Sequence, residues 1–362
     1  MKLALAILLA ASAALHAFRD EPELALRGLD PVALCAGDEV AGDQGLEETH
    51  GRYLYRFASE ASRERFRADP ERWCIQWGGG CARMGPLSGR GSAERWTVFD
   101  ERIFIFASDQ CREGFLEDPG RFVVAPEPSI EGSADALADG RRWIEKALAA
   151  HGGAAVDAHR ALRATAERTR DAWTSQRELV VTSAGEVRTR STWIPPDPGQ
   201  SGYDTTWVVA QGDAFTVEEG TAFDVTSPDQ KNDLRRQVHR EPLGILWARG
   251  REDFTALPTG ESELGGNPVV DVAVRFDGLA TTLHLRPETG LILGLSWRGR
   301  PSEGVTRDVV ETFTLWRTVE GVNVPAGRKV VADGKESAAM SEPWDVVELL
   351  EDVPEGALDR PE

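Results

Sequence analysis

The sequence predicts an α+β fold, with two small strand–helix units at the front and a larger antiparallel sheet domain behind. Three observations lead there. The stretch Phe57 to Trp73, FASEASRERFRADPERW, returns 49 residues later as Phe106 to Phe122, FASDQCREGFLEDPGRF, with nine of seventeen positions identical. Agreement in register at that level marks a duplicated unit. Beyond about residue 170 the apolar pattern changes to alternation, as in Val270, Val272, Val274 and Phe276, which is the period of a half-buried strand. Asp277-Gly278 then joins two such runs by a two-residue loop of the kind that matches strand twist.

Met1 to Ala17 places Lys2 before an apolar run, Leu3 to Leu15, and then small residues. Ser12-Ala13-Ala14 or Leu15-His16-Ala17 would suit a signal peptidase, so residues 1–17 read as a cleaved secretory signal, too short for a membrane span. The expected location is periplasmic or secreted. A net charge of −19 argues against nucleic acid or an anionic membrane as partner, and the chain is not expected to be an integral membrane protein.

Residues 18–75 and 76–125 form the two units. Tyr53 to Phe57 and Arg102 to Phe106 are aromatic and β-branched, which suits strands. Ser59 and Ser108 are N-caps for helices from about Glu60 to Ala68 and Asp109 to Glu117, ended by Asp69-Pro70 and Asp118-Pro119. Phe66 and Phe115 should anchor each helix. The glycine-rich stretches Gly78 to Gly80 and Gly85 to Ser92 lack a phosphate-loop ending and read as connections. His50 reads as an exposed turn residue.

Cys35, Cys74, Cys81 and Cys111 all fall in this region, an even number in a chain that should fold in an oxidising compartment, so disulfides are one reading. Equivalence of the copies favours Cys81 with Cys111, leaving Cys35 and Cys74 to flank the first copy. A second reading is a soft metal site of Cys81, Met84 and Cys111, whose thiolate and thioether ligands suit Cu(I). A third is a redox thiol at Cys111, near the positive end of a helix.

This region resembles the YHS-domain family. Asp30-Pro31-Val32 looks like the family's opening, and Phe106, Ser108, Cys111, Phe115, Asp118 and Pro119 fit its closing motif; Ser62 stands at the cysteine position of the first copy. The resemblance covers about residues 28–124 and implies a structural or soft-metal-binding module, although Ala33, Ala58 and Ala107 stand where metal-rich members have cysteines.

Residues 126–133 read as a linker. Ser133 caps a helix bearing Leu137, Ile144 and Leu148, and a second helix is expected after Gly153, to about Arg168. A meander follows, with strands near Val187 to Trp193, Val270 to Phe276, Leu279 to Leu285, Leu291 to Trp297, Val309 to Trp316 and Arg328 to Val331. Ser227-Pro228-Asp229-Gln230 starts a helix inside it, running to about His239. Residues 351–362 form an acidic tail.

Helix first, then a meander, a capped helix within it, and the run Arg286 to Leu291: this order over residues 134–350 resembles the periplasmic lipoprotein-carrier (LolA-like) superfamily. The resemblance implies an unclosed antiparallel β-barrel whose apolar concave face is covered by helices and accepts acyl chains. Trp193, Trp207, Trp247, Trp297 and Trp316 are candidates to line that concavity, with an ordinary core as the plainer account. His151, His159, His239 and His284 read as scattered surface histidines. No H-E-x-x-H or G-x-S-x-G motif occurs. The expectation is an exported, non-catalytic binding protein for a lipid-like or other apolar ligand, with a copper-handling protein and a thiol redox enzyme as alternatives.

Overall fold

The computed structural model describes residues 22–123, 127–170, 172–197, 199–300, 304–338, 340–341 and 343–361. The expected signal segment, and Pro126 of the expected linker, lie outside them. The chain divides into two units. The first takes in the chain up to Ala82 together with Gly89–Gly114; the second takes in Arg83–Ser88 and everything from Phe115.

In the first unit, β1 (Glu23–Leu24), β2 (Asp43–His50) and β3 (Tyr53–Phe57) form one small sheet, and β4 (Ser92–Phe99) pairs with β5 (Arg102–Phe106) in another. A bridge between Ile75 and Ile103 ties the two. Helices Glu60–Ala68 and Asp109–Leu116 follow β3 and β5, and their caps are those the sequence predicts: the Ser59 and Ser108 hydroxyls each accept an N–H, from Ser62 and Cys111, at 3.2 Å. Such a cap contributes about 1 kcal/mol. Phe66 is fully buried against Tyr55 and Phe57, and Phe115 packs on Phe122.

The two hairpins agree beyond the matched sequence. Both ladders slip at the same place, between Asp43 and Glu47 in one and between Ser92 and Trp96 in the other. Each is preceded by a tight turn with two successive left-handed residues, Leu26-Arg27 and Trp77-Gly78. Gly42 and Gly91 donate to Gly28 and Gly79, and at both positions a Cβ would collide with the facing strand. Within this frame Asp30 and Cys81 do one job: the Asp30 carboxylate accepts the Ala58 N–H at 2.8 Å and the Cys81 sulfur accepts the Ala107 N–H at 3.3 Å. His50 departs from expectation. It sits half-buried in β2 with its ring edge on Phe66, because strand pairing continues to the end of the hairpin.

The second unit holds two seven-stranded antiparallel sheets. The first runs β11 (Thr221–Asp224), β10 (Asp213–Glu218), β9 (Tyr203–Ala210), β8 (Val187–Ile194), β7 (Trp173–Thr182), β6 (Ala161–Arg170), β19 (Val346–Leu350). The second runs β12 (Thr255–Leu264), β13 (Asn267–Phe276), β14 (Leu279–Leu285), β15 (Ile292–Gly299), β16 (Arg307–Val319), β17 (Val322–Ala332), β18 (Lys335–Glu336). Neither closes on itself. Helices Ala134–His151, Pro228–His239 and Pro242–Ala248 bury Ile144, Leu148, Leu234, Val238, Ile245 and Leu246 in one core with the inward residues of both sheets. A large, open antiparallel architecture with helices on its inner side is therefore present.

Residues 154–168 differ from expectation. Only Ala154–Asp157 is helical, and Ala161–Arg170 is β6. Ala, Arg and Glu favour helix, but Leu162, Ala164 and Ala166 alternate and the segment pairs on both edges, with β7 and β19, so tertiary pairing overrides propensity. The expected tail is also packed: Leu358 buries against Val208, Ala210 and Phe215, and Arg360 lies over the Phe215 ring and pairs with Asp224.

Candidate binding surfaces of the C-terminal unit

The helix Pro228–His239 begins at a Ser227 cap with proline in its first turn. Spacing along it places Asp229, Asp233 and Arg236 on one stripe, with Gln237 and Arg240 beside it. That stripe faces the end of β15, and together they line a cleft of about 250 Å³ with Glu127, Leu279, Trp297, Arg298 and Arg300. Arg300 is buried and reaches Asp229 at 3.0 Å and Asp233 at 3.0 and 3.1 Å. Arg236 pairs with Glu127 and donates to the Ala280 carbonyl at 2.7 Å. Both Arg236 and Arg240 lie over the indole of Trp297.

Behind this lining, and sharing Arg240 with it, stands a charge cluster whose other members are buried. Glu311 on β16 accepts from Arg240 Nε at 2.5 Å, Arg328 Nη1 at 2.9 Å and Trp297 Nε1 at 2.9 Å, and Arg328 Nη2 donates to Glu241 at 2.5 Å. Burial alone would raise the Glu311 pKa, but two guanidinium groups outweigh it and hold the carboxyl down at about 2. Glu241 receives only Arg328, and there burial wins, so its pKa is raised. Sequence reading missed this cluster, since its members come from the capped helix, the turn after it and three strands.

The tryptophans part company. Trp297 lies in the core. Trp247 is half-buried and donates to the Val156 carbonyl at 2.9 Å; Trp316 packs on Phe313 and His151. These three serve the core or the charge cluster. Trp207 is likewise half-buried against the core, whereas Trp193 is placed otherwise. Register puts Val187, Thr189, Ser191 and Trp193 on the same face of the first sheet as Val209, Trp207, Thr205 and Tyr203, which is the face that enters the core at Val187 and Val209. Toward the other end of these strands the face is uncovered. Trp193 stacks on Tyr203 at 6.0 Å, and Tyr203 is 53% exposed.

All four histidines expected at the surface are buried. His151 Nδ1 donates to the Asn323 carbonyl, His159 meets Glu320, His239 stacks on Phe276, and His284 lies between Asp271 and Ser296. Imidazole is apolar enough to fill a core once its nitrogens are partnered, as both are in His151, His159 and His284, and a scattered His carries no sequence signal of that.

The structure gives the disulfide reading no support: the four cysteines stand as free thiols in it. Burial first, with Glu101 second, pushes the Cys35 pKa up to about 12; burial first, then Glu71, pushes Cys74 up to about 12. Thiolate, the form that attacks a disulfide or binds a soft metal, is thereby suppressed. Cys81 is buried with its sulfur on an N–H, Met84 is 45% exposed and Cys111 is partly exposed. Among the described residues, no three His, Cys, Asp or Glu side chains are gathered as a metal shell requires. With thiolate reduced a thousandfold, Cys35 and Cys74 should react with an aromatic disulfide reagent at pH 8 about 10³-fold more slowly than an unperturbed thiol. Stopped-flow thiol counting in the native protein checks this; rapid modification of either, or a Cys35–Cys74 bridge in a non-reducing peptide map, would contradict it.

No family model matches this chain, and no curated protein matches it. Solved structures similar to it include a putative outer membrane lipoprotein-sorting protein domain from Vibrio parahaemolyticus, at 8% identity and TM-score 0.38 over 62% of this chain and 97% of that one. A DUF1329 family protein from Desulfovibrio piger is similar at 10% identity and TM-score 0.30, over 59% of this chain and 93% of that one. MucB is similar at 16% identity and TM-score 0.18, over 60% and 66%. Likeness at these scores assigns no function. Among the described residues no helix is long and apolar enough to cross a membrane.

Proposed function

We propose that this chain is an exported, periplasmic binding protein whose C-terminal unit, a LolA-like unclosed barrel, takes a lipid-like ligand on the uncovered inner face of its first sheet. The observation that carries the reading is the stacked pair Trp193 and Tyr203. It continues the sheet face that reaches the core at Trp207, with Ser191 and Thr205 between, and is left partly or largely exposed. Aromatic rings that lie on a core-directed face yet remain open to water are what an apolar ligand would cover. Trp247, Trp297 and Trp316, engaged in the core, are not part of that site.

The polar cleft beside Trp297 complements this pair: its alternating Arg and Asp side chains suit a charged or zwitterionic head group rather than an acyl chain. In the first unit we read a structural module of YHS type, duplicated once, in which Asp30 and Cys81 each hold the N–H at the end of a strand.

Lipid extraction from protein purified out of its exporting host, followed by mass spectrometry, tests the reading. A bound amphiphile is expected, and brominated analogues should quench the fluorescence of Trp193 and Trp207. Trp193→Ala with Tyr203→Ala should weaken binding at least ~10-fold, the equivalent of about 1.4 kcal/mol lost from two ring contacts. A protein that is empty as purified and indifferent to every amphiphile offered would overturn the proposal.

A further inference from the structure

On the second sheet, three polar side chains from neighbouring strands stand in line. Asp271 on β13 and His284 on β14 are cross-strand partners, with Asp271 Oδ1 2.7 Å from His284 Nδ1. His284 Nε2 lies 3.0 Å from the Oγ of Ser296 on β15. Alternation sends Val270, Val272, Leu283, Leu285, Leu295 and Trp297 into the core, so Asp271, His284 and Ser296 project from the opposite face.

The carboxylate on Nδ1 sets the tautomer. With the proton on Nδ1, the Nε2 lone pair points at the Ser296 hydroxyl, the polarity a general base requires. Asp271 is itself steadied by Ser262, whose Oγ donates to Oδ1 at 3.0 Å. His284 is the buried member of the line, with Asp271 and Ser296 each half-exposed on either side of it. Val310, the partner of Ser296 on β16, packs with Leu264, Val269 and Leu293, which supplies an apolar bed beside the hydroxyl.

We propose that Ser296, His284 and Asp271 form a hydrolytic site for carboxylic esters with a small apolar acyl group. His284 Nε2 takes the Ser296 proton as Oγ bonds to the acyl carbon; the bond from that carbon to the alcohol oxygen breaks, and the alcohol leaves with the proton from Nε2. Water then gives a proton to Nε2 and its oxygen to the acyl carbon. The Oγ–acyl bond breaks, Oγ recovers its proton and the carboxylic acid departs. Backbone N–H groups of β15 serve its ladders with β14 and β16, so stabilisation of the oxyanion falls to a hydroxyl: Thr282, the cross-strand partner of Ser296 on the same face. Asp271 is a positioning residue. This site lies on the far side of the second sheet from the core and does not depend on the lipid-binding reading.

The test uses the full chain, a fluorophosphonate probe and p-nitrophenyl butyrate. Peptide mass spectrometry is expected to find the phosphonyl group on Ser296, with ester hydrolysis falling at least ~100-fold in Ser296→Ala and His284→Gln. Thr282→Val should lower kcat with KM unchanged, and Asp271→Asn should displace the pH profile of kcat/KM, which a purely structural role would not do. Should His284→Gln fail to fold, Ser296→Ala decides the case, since it removes only a half-exposed hydroxyl. Wild-type hydrolysis no faster than that of Ser296→Ala, or a probe that leaves Ser296 unmodified, would overturn the proposal.

Discussion

Glu311→Ala is expected to destabilise the C-terminal unit by about 3–5 kcal/mol, the usual cost of removing one partner from a buried ion pair. Glu311 is fully buried and receives Arg240, Arg328 and the Trp297 indole N–H. Without it, Arg328 keeps Glu241 and Arg240 keeps Gln237, but two cations then face each other in a water-poor interior and the indole N–H has lost its acceptor. For a unit of this size the loss corresponds to a fall of roughly 6–20 °C in Tm. Glu311→Gln should cost less, because an amide oxygen still accepts from the indole. Thermal unfolding followed by near-ultraviolet circular dichroism checks both, and a Glu311→Ala protein melting within a degree or two of wild type would show that water reaches the cluster.

Stability should also fall as pH drops from 6.5 to 4, before most carboxylates titrate. His151 is one cause. Burial, only partly offset by the hydrogen bond to the Asn323 carbonyl, lowers its pKa from 6.5 to about 4. The unfolded chain therefore binds a proton at this position near pH 6.5 while the folded one does not until about pH 4, so protons favour unfolding throughout that window. At about 1.4 kcal/mol per unit the loss approaches about 3 kcal/mol at pH 4. His239 acts in the same direction, its pKa driven down by burial and then by Arg236. His159 acts oppositely: burial disfavours its charge, but Glu320 and the Ala155 carbonyl outweigh it and raise the pKa, so its contribution is present at low pH and lost as pH rises through the folded value. Glu311, held at about 2, does not enter until more acid conditions. Urea unfolding at pH 7, 5.5 and 4 should show the midpoint falling, with a flatter dependence in His151→Gln. A midpoint unchanged from pH 7 to 4 would contradict the burial of these histidines.

The sequence by itself determined what is local. Ser59, Ser108, Ser133 and Ser227 announced four helix starts, because a cap is a hydroxyl and an N–H three residues apart. Asp277-Gly278 announced its hairpin, because both residues adopt positive φ, and alternation announced the meander. The matched hairpins of the first unit were legible for the same reason. Only tertiary structure decided the rest. The helix-favouring run Ala161–Arg170 became a strand through pairing with β7 and β19. Glu311 with its arginines, and Asp271 with His284 and Ser296, assembled across segments whose register no spacing reveals. Caps and turns draw their free energy from atoms a few residues apart, whereas buried charges and histidines draw theirs from neighbours that exist only once the sheets have paired.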